Sequence, residues 1–296
     1  MILPGVVAPL DPVLAMFRSE VGKPAWSTWD VLGGVVAMCN EALLTVQTLG
    51  QFRVCRHGGI EIATSDWGRE KARVLCQYLV TRRRVLTPKE RIAFDLWPDL
   101  DAQRADRDFK VSLNALLSAL EPKRRPRAES RFIQRQGTAY GLVPSLYDLD
   151  ADRFTDLVNS GARMETADRD SAVASYRAAV DLYQGDYLPD ALYEDWASAE
   201  RERLLTLYLS SASRLAQFLL ERQAAQESIA LAEAVLVRDP CWEEAYRILM
   251  QAYQSRGNRP LAIRAYQRCV SALRDELGLE PMVETERLYL KLRERR

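Results

Sequence analysis

Between Leu44 and Ile62 apolar and polar positions alternate, with Val46 and Thr48 followed by Phe52 and Val54. A period of two predicts strands. His57-Gly58-Gly59 interrupts the pattern as a turn, so a small antiparallel sheet is expected. From about Arg69 to Thr81 the period changes. Ala72, Leu75, Cys76, Leu79 and Val80 fall at i, i+3, i+4, i+7 and i+8, the core face of a helix. Thr87-Pro88-Lys89-Glu90 reads as a capping box with proline at the first helical position, so a helix is expected to start at Pro88. Ile92 and Leu96 give it an apolar edge, and Pro98 keeps it short. The turn Asp99-Leu100-Asp101 leads into RADRDFKVSLNALLSAL, residues 104–120. There Phe109, Leu113, Leu116, Leu117 and Leu120 share one side of a helix. A basic loop, PKRRPR, follows, and SRFIQRQGTAYGLV reads as a hairpin with its tip near Gln136-Gly137-Thr138.

The other side of the 104–120 helix carries Arg107, Lys110, Val111 and Asn114. Solvated helix faces are usually Glu/Lys mixtures; this one has hydrogen-bond donors and a small apolar residue in a stripe. Arginine can pair bidentately with guanine, asparagine with adenine, and valine can meet a thymine methyl in a major groove. A short helix followed by a longer donor-rich one is helix-turn-helix logic, and a hairpin directly after it is a wing. The stripe is therefore the candidate base-reading surface. Lys89, Arg91 and Arg104, with Arg135 and Thr138 at the wing, are candidate phosphate contacts, which position a protein without reading sequence. Lys123, Arg124, Arg125 and Arg127 form either a phosphate clamp or a solvated loop. Arg82-Arg83-Arg84 ends the first helix, where cations suit the helix dipole.

From about Asp152 onward the periodicity is helical. AVASYRAAV (172–180) aligns with AIRAYQRCV (262–270), and Ile229 and Ile263 head similar helices 34 positions apart, the tetratricopeptide period. Asp239-Pro240 and Glu280-Pro281 punctuate helix ends, and Gly257-Asn258 is a C-cap and turn. Stacked helical hairpins bury a shared core and leave a concave face. Tyr176, Tyr183, Tyr187, Tyr193, Trp196, Tyr246, Tyr253 and Tyr266 recur at helical spacing, as core and inter-helix packing. The expected class is mainly α. A winged helix-turn-helix domain with a small antiparallel sheet (43–148) precedes a tetratricopeptide-like α-helical repeat domain (149–296), after an N-terminal segment (1–42) of unassigned role.

Composition sharpens this plan. The chain of 296 residues has zero formal net charge, yet residues 43–150 carry 19 Lys/Arg against 13 Asp/Glu and residues 151–296 carry 20 against 24. A polyanion partner suits the middle only. Five cysteines, none at C-x-x-C spacing, read as small buried or half-buried thiols in a reducing compartment. There is no apolar run long enough for a transmembrane helix and no charged-then-apolar leader, so cytoplasmic residence without membrane contact is expected. The one histidine, His57, lies in a turn. P-loop and H-E-x-x-H motifs are missing. No catalytic residue, cofactor or metal site is therefore assigned, and the chain is not expected to be an enzyme.

These residues resemble a known family. LTVQTLGQFRV, the FDLWPDLDAQRADRDFKVSLNALLSALEP block and FIQRQGTAYGL look like the winged helix of response-regulator type transcription factors. GDYLPDALYEDWASAERERL and RDPCWEEAYRILMQAYQSRGNRPLAIRAYQRCVSALRDELGLEP look like the bacterial transcriptional activator domain. Together they match the SARP-type bacterial regulators over about 44–292. The resemblance implies double-stranded DNA as ligand, and self-association or contact with RNA polymerase or another regulator through the helical domain, with activation as the expected output. One winged helix buries only ~600–1,000 Å² on DNA, so a homodimer on repeated half-sites is expected. Two departures stand out. The wing reads Gly137-Thr138-Ala139-Tyr140 where relatives often have Gly-x-Gly-Tyr, and Asp106 and Asp108 occupy a helix start that is often Asn-rich. Acids near phosphates repel unless they cap the helix. The alternative reading is an interaction scaffold whose winged helix no longer binds DNA.

Overall fold

The computed structural model describes residues 44–125 and 127–294; the segment 1–42, with Cys39, lies outside them. The chain opens with β1 (Leu44–Gln47), β2 (Arg53–Arg56) and β3 (Ile60–Glu61). In β1 Leu44 and Val46 point inward and Thr45 outward, the alternation that the sequence shows. β1 to β3 pair antiparallel. A strand from 100 residues later, β7 (Tyr147–Leu149), adds to β1 in parallel, so the sheet is antiparallel only in part. The connection runs through three helices and the wing, and this length allows parallel pairing.

Helix α1 (Glu70–Thr81) buries Ala72, Leu75, Cys76, Leu79 and Val80 as the spacing predicts, together with Tyr78. Helix α2 (Lys89–Leu96) begins one residue later than expected and has no side-chain cap. Thr87 does not form a capping box. With Pro88 it makes a short strand, β4, opposite Tyr140 and Ala139, and the buried Thr87 has been recruited to the sheet. Helix α3 (Ala102–Leu120) is capped by Asp101, which accepts from the Arg104 N–H at 2.9 Å. At its other end the Arg56 guanidinium donates twice to the Ala119 carbonyl, at 2.9 and 2.6 Å, satisfying a terminal acceptor with a cation that suits the dipole. The wing is β5 (Ile133–Gln136) and β6 (Ala139–Leu142), turned at Gly137 with φ +60°.

The remaining helices are α4 (Asp150–Met164), α5 (Arg169–Leu182), α6 (Asp195–Glu221), α7 (Ala225–Arg238), α8 (Glu243–Ser255), α9 (Arg259–Leu277) and α10 (Val283–Glu294). Helices α7 and α9 start 34 positions apart, in line with the repeat. Asn258 caps α9 by accepting from the Leu261 N–H, after Gly257 at φ +71°. Helices α4 and α5 meet so closely that a Cβ on Gly161 would lie 2.9 Å from the Tyr176 ring. Most of the tyrosines pack as expected, with Tyr183 stacked on Tyr208 at 4.4 Å and Tyr266 on Tyr289 at 3.9 Å. Tyr193 does not: it is 95% exposed, because it falls in the irregular link before α6 rather than on a helix face.

The winged and helical portions share one continuous apolar core. The Asp150 carboxylate, at the start of α4, accepts from the Thr48 N–H, the Thr48 hydroxyl (2.6 Å), the Leu49 N–H and the Ala151 N–H. The link 185–191 docks on the loop after β1. Leu188 N–H donates to the Thr48 carbonyl at 2.8 Å and Gly50 N–H to the Asp186 carbonyl at 3.0 Å. Leu188 is fully buried at φ +47°, a conformation costing ~1–2 kcal/mol in a non-glycine residue. The Arg201 guanidinium holds the link from behind by donating to the Tyr187, Ala191 and Leu192 carbonyls.

Candidate nucleic-acid interface

The nineteen residues of α3 split into two faces. Ala105, Phe109, Ser112, Leu116, Ala119 and Leu120 are buried, and Phe109 meets the Tyr140 ring of the wing edge-on at 5.1 Å. Opposite them Arg107, Lys110, Val111 and Asn114 are all exposed, Val111 at 42%. Positions i, i+3, i+4 and i+7 form one stripe about 10 Å long at 1.5 Å per residue. A buried face of that size fixes the helix, so the stripe's side chains start from a rigid base. Such a helix fits the width of a B-form major groove.

Three of the candidate phosphate contacts converge on the start of this surface. Lys89 opens α2, and its N–H donates to the carbonyl of Thr138 at the wing tip, 2.9 Å away. The Thr138 side chain is exposed. Arg135, also exposed, lies over the Tyr140 ring at 5.6 Å and donates to the Gly137 carbonyl at 2.9 Å, so the wing turn is braced by its own cation. Arg91 is tied to Asp95 at 2.9 Å and covers the exposed Phe94 ring. Arg104 pairs with Asp101 at 3.3 Å. The Arg104–Asp101 pair is exposed on both sides and worth little, so Arg104 can exchange its carboxylate for a phosphate at small cost; the Asp95 side chain is only 8% exposed, so Arg91 is held more firmly.

The basic loop lies elsewhere. Arg107 is thirteen residues from the last residue of α3, ~20 Å along the axis, and the loop begins only beyond that point. Lys123, Arg125 and Arg127 are exposed, Arg127 at φ +63°. Arg124 is half-buried and donates to the Ala128 carbonyl at 2.5 Å. These four cations are not brought together with the stripe.

Two ionic features were not legible as such. Asp106 does not cap α3. Its Oδ1 meets Lys89 Nζ at 2.6 Å and its Oδ2 meets Lys110 Nζ at 2.6 Å. Hydrogen bonds from Lys110 and Lys89 hold its carboxyl below the usual range. The i,i+4 spacing to Lys110 was visible in the sequence; the Lys89 contact, across two helices, was not. Asp108 makes only a long contact, 3.9 Å, with Arg107. Arg83, read as one of three cations closing α1, is in fact buried. It donates to the Val80 carbonyl, to both carboxylate oxygens of Asp152 and to Glu200. Burial works against its charge, but Asp152 and Glu200 outweigh that and keep it protonated.

Comparison with known proteins agrees with this architecture. The family described as bacterial transcriptional activator domain matches residues 149–293. No curated protein matches the chain in sequence. Among solved structures, Mycobacterium tuberculosis EmbR in complex with a low-affinity phosphopeptide is similar with a TM-score of 0.73 at 21% identity. The match covers 84% of this chain and 65% of that one, so this chain spans less than two thirds of the EmbR chain. At that identity the likeness speaks for the fold, a winged helix followed by helical repeats. No helix among the described residues is long and apolar enough to cross a membrane. Residues 149–293 thus match the bacterial transcriptional activator domain, and a winged helix precedes them in the fold.

Proposed function

We propose that this regulator binds a specific site on double-stranded DNA through α3. Arg107, Lys110, Val111 and Asn114 read base edges in the major groove. Lys89, Arg91, Arg104, Arg135 and Thr138 hold flanking phosphates. The observation that carries the reading is the exposed donor-rich stripe on a helix whose opposite face is locked into the core between α2 and the wing. The basic loop 123–127 is assigned to phosphate beyond the far end of α3, outside the reading surface. Residues 43–148 act as the DNA-binding domain and 149–296 as the effector domain, in the cytoplasm, where the DNA is.

The helical domain makes the second contact, with RNA polymerase or with another copy of the chain, and the regulator is an activator. A single winged helix covers too little DNA for strong selectivity, so two copies on repeated half-sites are expected. Equilibrium sedimentation with and without bound duplex tests that: a complex of two chains per duplex supports it, one chain per duplex rejects it. The DNA reading itself is tested by mobility shift on the gene's own upstream region at two salt concentrations. A discrete complex that weakens steeply with salt supports it. No complex at either concentration would favour a protein-interaction scaffold built on the same fold.

A further inference from the structure

We infer that Asp106 is a specificity-determining residue, an internal counter-charge standing where a DNA phosphate would otherwise compete for two lysines. The inference rests on the DNA reading proposed above and deepens it. Asp106 lies on α3 one position before Arg107, yet its carboxylate turns toward α2. One oxygen takes Lys89 at the mouth of α2, and the other takes Lys110 from the reading stripe itself, both at 2.6 Å. The side chains of Asp106 and Lys89 are about two-thirds shielded, at 31% and 29% exposure, while Lys110 is 66% exposed. The carboxylate thus joins three things: the positioning helix, the reading helix and, through the Lys89 N–H on the Thr138 carbonyl, the wing.

Two consequences follow for binding. The first is charge. Two ammonium groups and one carboxylate leave this corner with one net positive charge instead of two. Non-specific binding is electrostatic and scales with the phosphates neutralised, so Asp106 lowers affinity for every sequence alike. The second is placement. Lys110 is held to one side of the stripe by an i,i+4 ion pair, so it is not free to swing to whichever phosphate is nearest. The charge effect lowers both affinities and leaves their ratio unchanged; fixing a base-facing donor raises the ratio of specific to non-specific affinity, the quantity that matters in a genome. Asp108, by contrast, has only the long contact to Arg107 and does not bridge helices.

The test uses the whole chain and three variants: Asp106→Asn, the charge-compensated pair Asp106→Asn with Lys110→Ala, and Arg107→Ala. Each is measured against a selected duplex and a scrambled one across a salt series, with a thermal melt of each protein. For Asp106→Asn we expect scrambled-duplex affinity to rise about five- to tenfold at 0.1 M salt and the log–log salt slope to steepen by about 0.9, one extra phosphate contact. Its selected-to-scrambled ratio should fall. The compensated pair should return the slope to that of the unaltered protein. An Asp106→Asn protein that melts normally with unchanged slope and scrambled-duplex affinity would overturn the role of Asp106 while leaving DNA reading intact. If a melt shows that Asp106→Asn is poorly folded, Asp106→Ser decides in its place: it also removes the charge, so a steeper slope and higher scrambled-duplex affinity support the inference, and an unchanged slope and affinity overturn it. If the unaltered protein makes no distinction between the duplexes and Arg107→Ala changes nothing, the reading and the inference both fall.

Discussion

Arg83 and Asp150 show how single polar side chains fix the junction of the two portions. The Arg83 side chain is only 2% exposed and is shared between Asp152 and Glu200. Arg83→Ala would remove the buried cation that Asp152 and Glu200 share, leaving Glu200 to Arg203 and Asp152 to the more distant Arg84. Breaking a buried pair costs ~3–5 kcal/mol; with Asp152 still a third exposed, about 3 kcal/mol is expected, read as a drop in the denaturant midpoint. Burial opposes ionisation of Glu200, but hydrogen bonds from Arg203 and Arg83 prevail and hold its carboxyl below the usual range. A depressed carboxylate contributes stability that is complete above its unfolded value, about 4.3, and is lost as pH falls through the lower folded value. Unfolding followed from pH 7 to 3 should therefore show stability falling below about pH 4, and the Glu200→Gln variant should show a smaller fall. Asp150 runs the other way. Burial raises its carboxyl against four hydrogen bonds that lower it, so its protonation does not add to acid unfolding. Asp150→Asn turns an amide N–H toward existing donors and should lower stability by about 1–3 kcal/mol.

At the scale of elements, α3 and the wing carry the proposed DNA-reading site. Arg107→Ala and Asn114→Ala should relax sequence preference at the positions they read, each by about 1–3 kcal/mol of discrimination. Arg135→Ala should weaken all sequences alike and flatten the salt slope by about one. Competition binding against single-base variants of the preferred site separates the two outcomes. Much of this element was legible from the sequence. The stripe of α3 lies where a helical period puts it; of the expected core face Phe109, Leu116 and Leu120 are buried, whereas Leu113 and Leu117 are half-buried and Ala105, Ser112 and Ala119 complete the buried side. What was not legible came from contacts between segments distant in sequence. Thr87 looked like a cap because its neighbours satisfy a local rule; pairing with Tyr140, more than fifty residues on, overrode it. Asp106 showed its partner one turn along the same helix but not Lys89 on another. Arg83 looked like an end-of-helix cation because Asp152 and Glu200, which bury it, lie 69 and 117 positions away.

At the scale of the whole molecule, Tyr78 of α1 ties α2 to the repeats. The Tyr78 hydroxyl donates to Asp95 on α2 at 2.7 Å, while its ring packs on Trp196 of α6 at 5.4 Å. Gly50 and Gly185 bring two backbones together where a Cβ on Gly185 would lie 2.8 Å from the Gly50 Cα. With the two backbones packed this closely and one apolar core running through both portions, the two should unfold in one cooperative transition by calorimetry. Gly185→Ala should lower its midpoint and broaden or split it. An effector surface on the repeats would then stand at a fixed place relative to the bound duplex. The account's central claim remains the reading face, and selection of bound duplexes from a random pool tests it most directly, run on the unaltered chain and on the Arg107→Ala, Asn114→Ala double variant. The account predicts a defined consensus for the first and loss of guanine and adenine preference at the read positions for the second; no enrichment, or an identical consensus from both proteins, would contradict it.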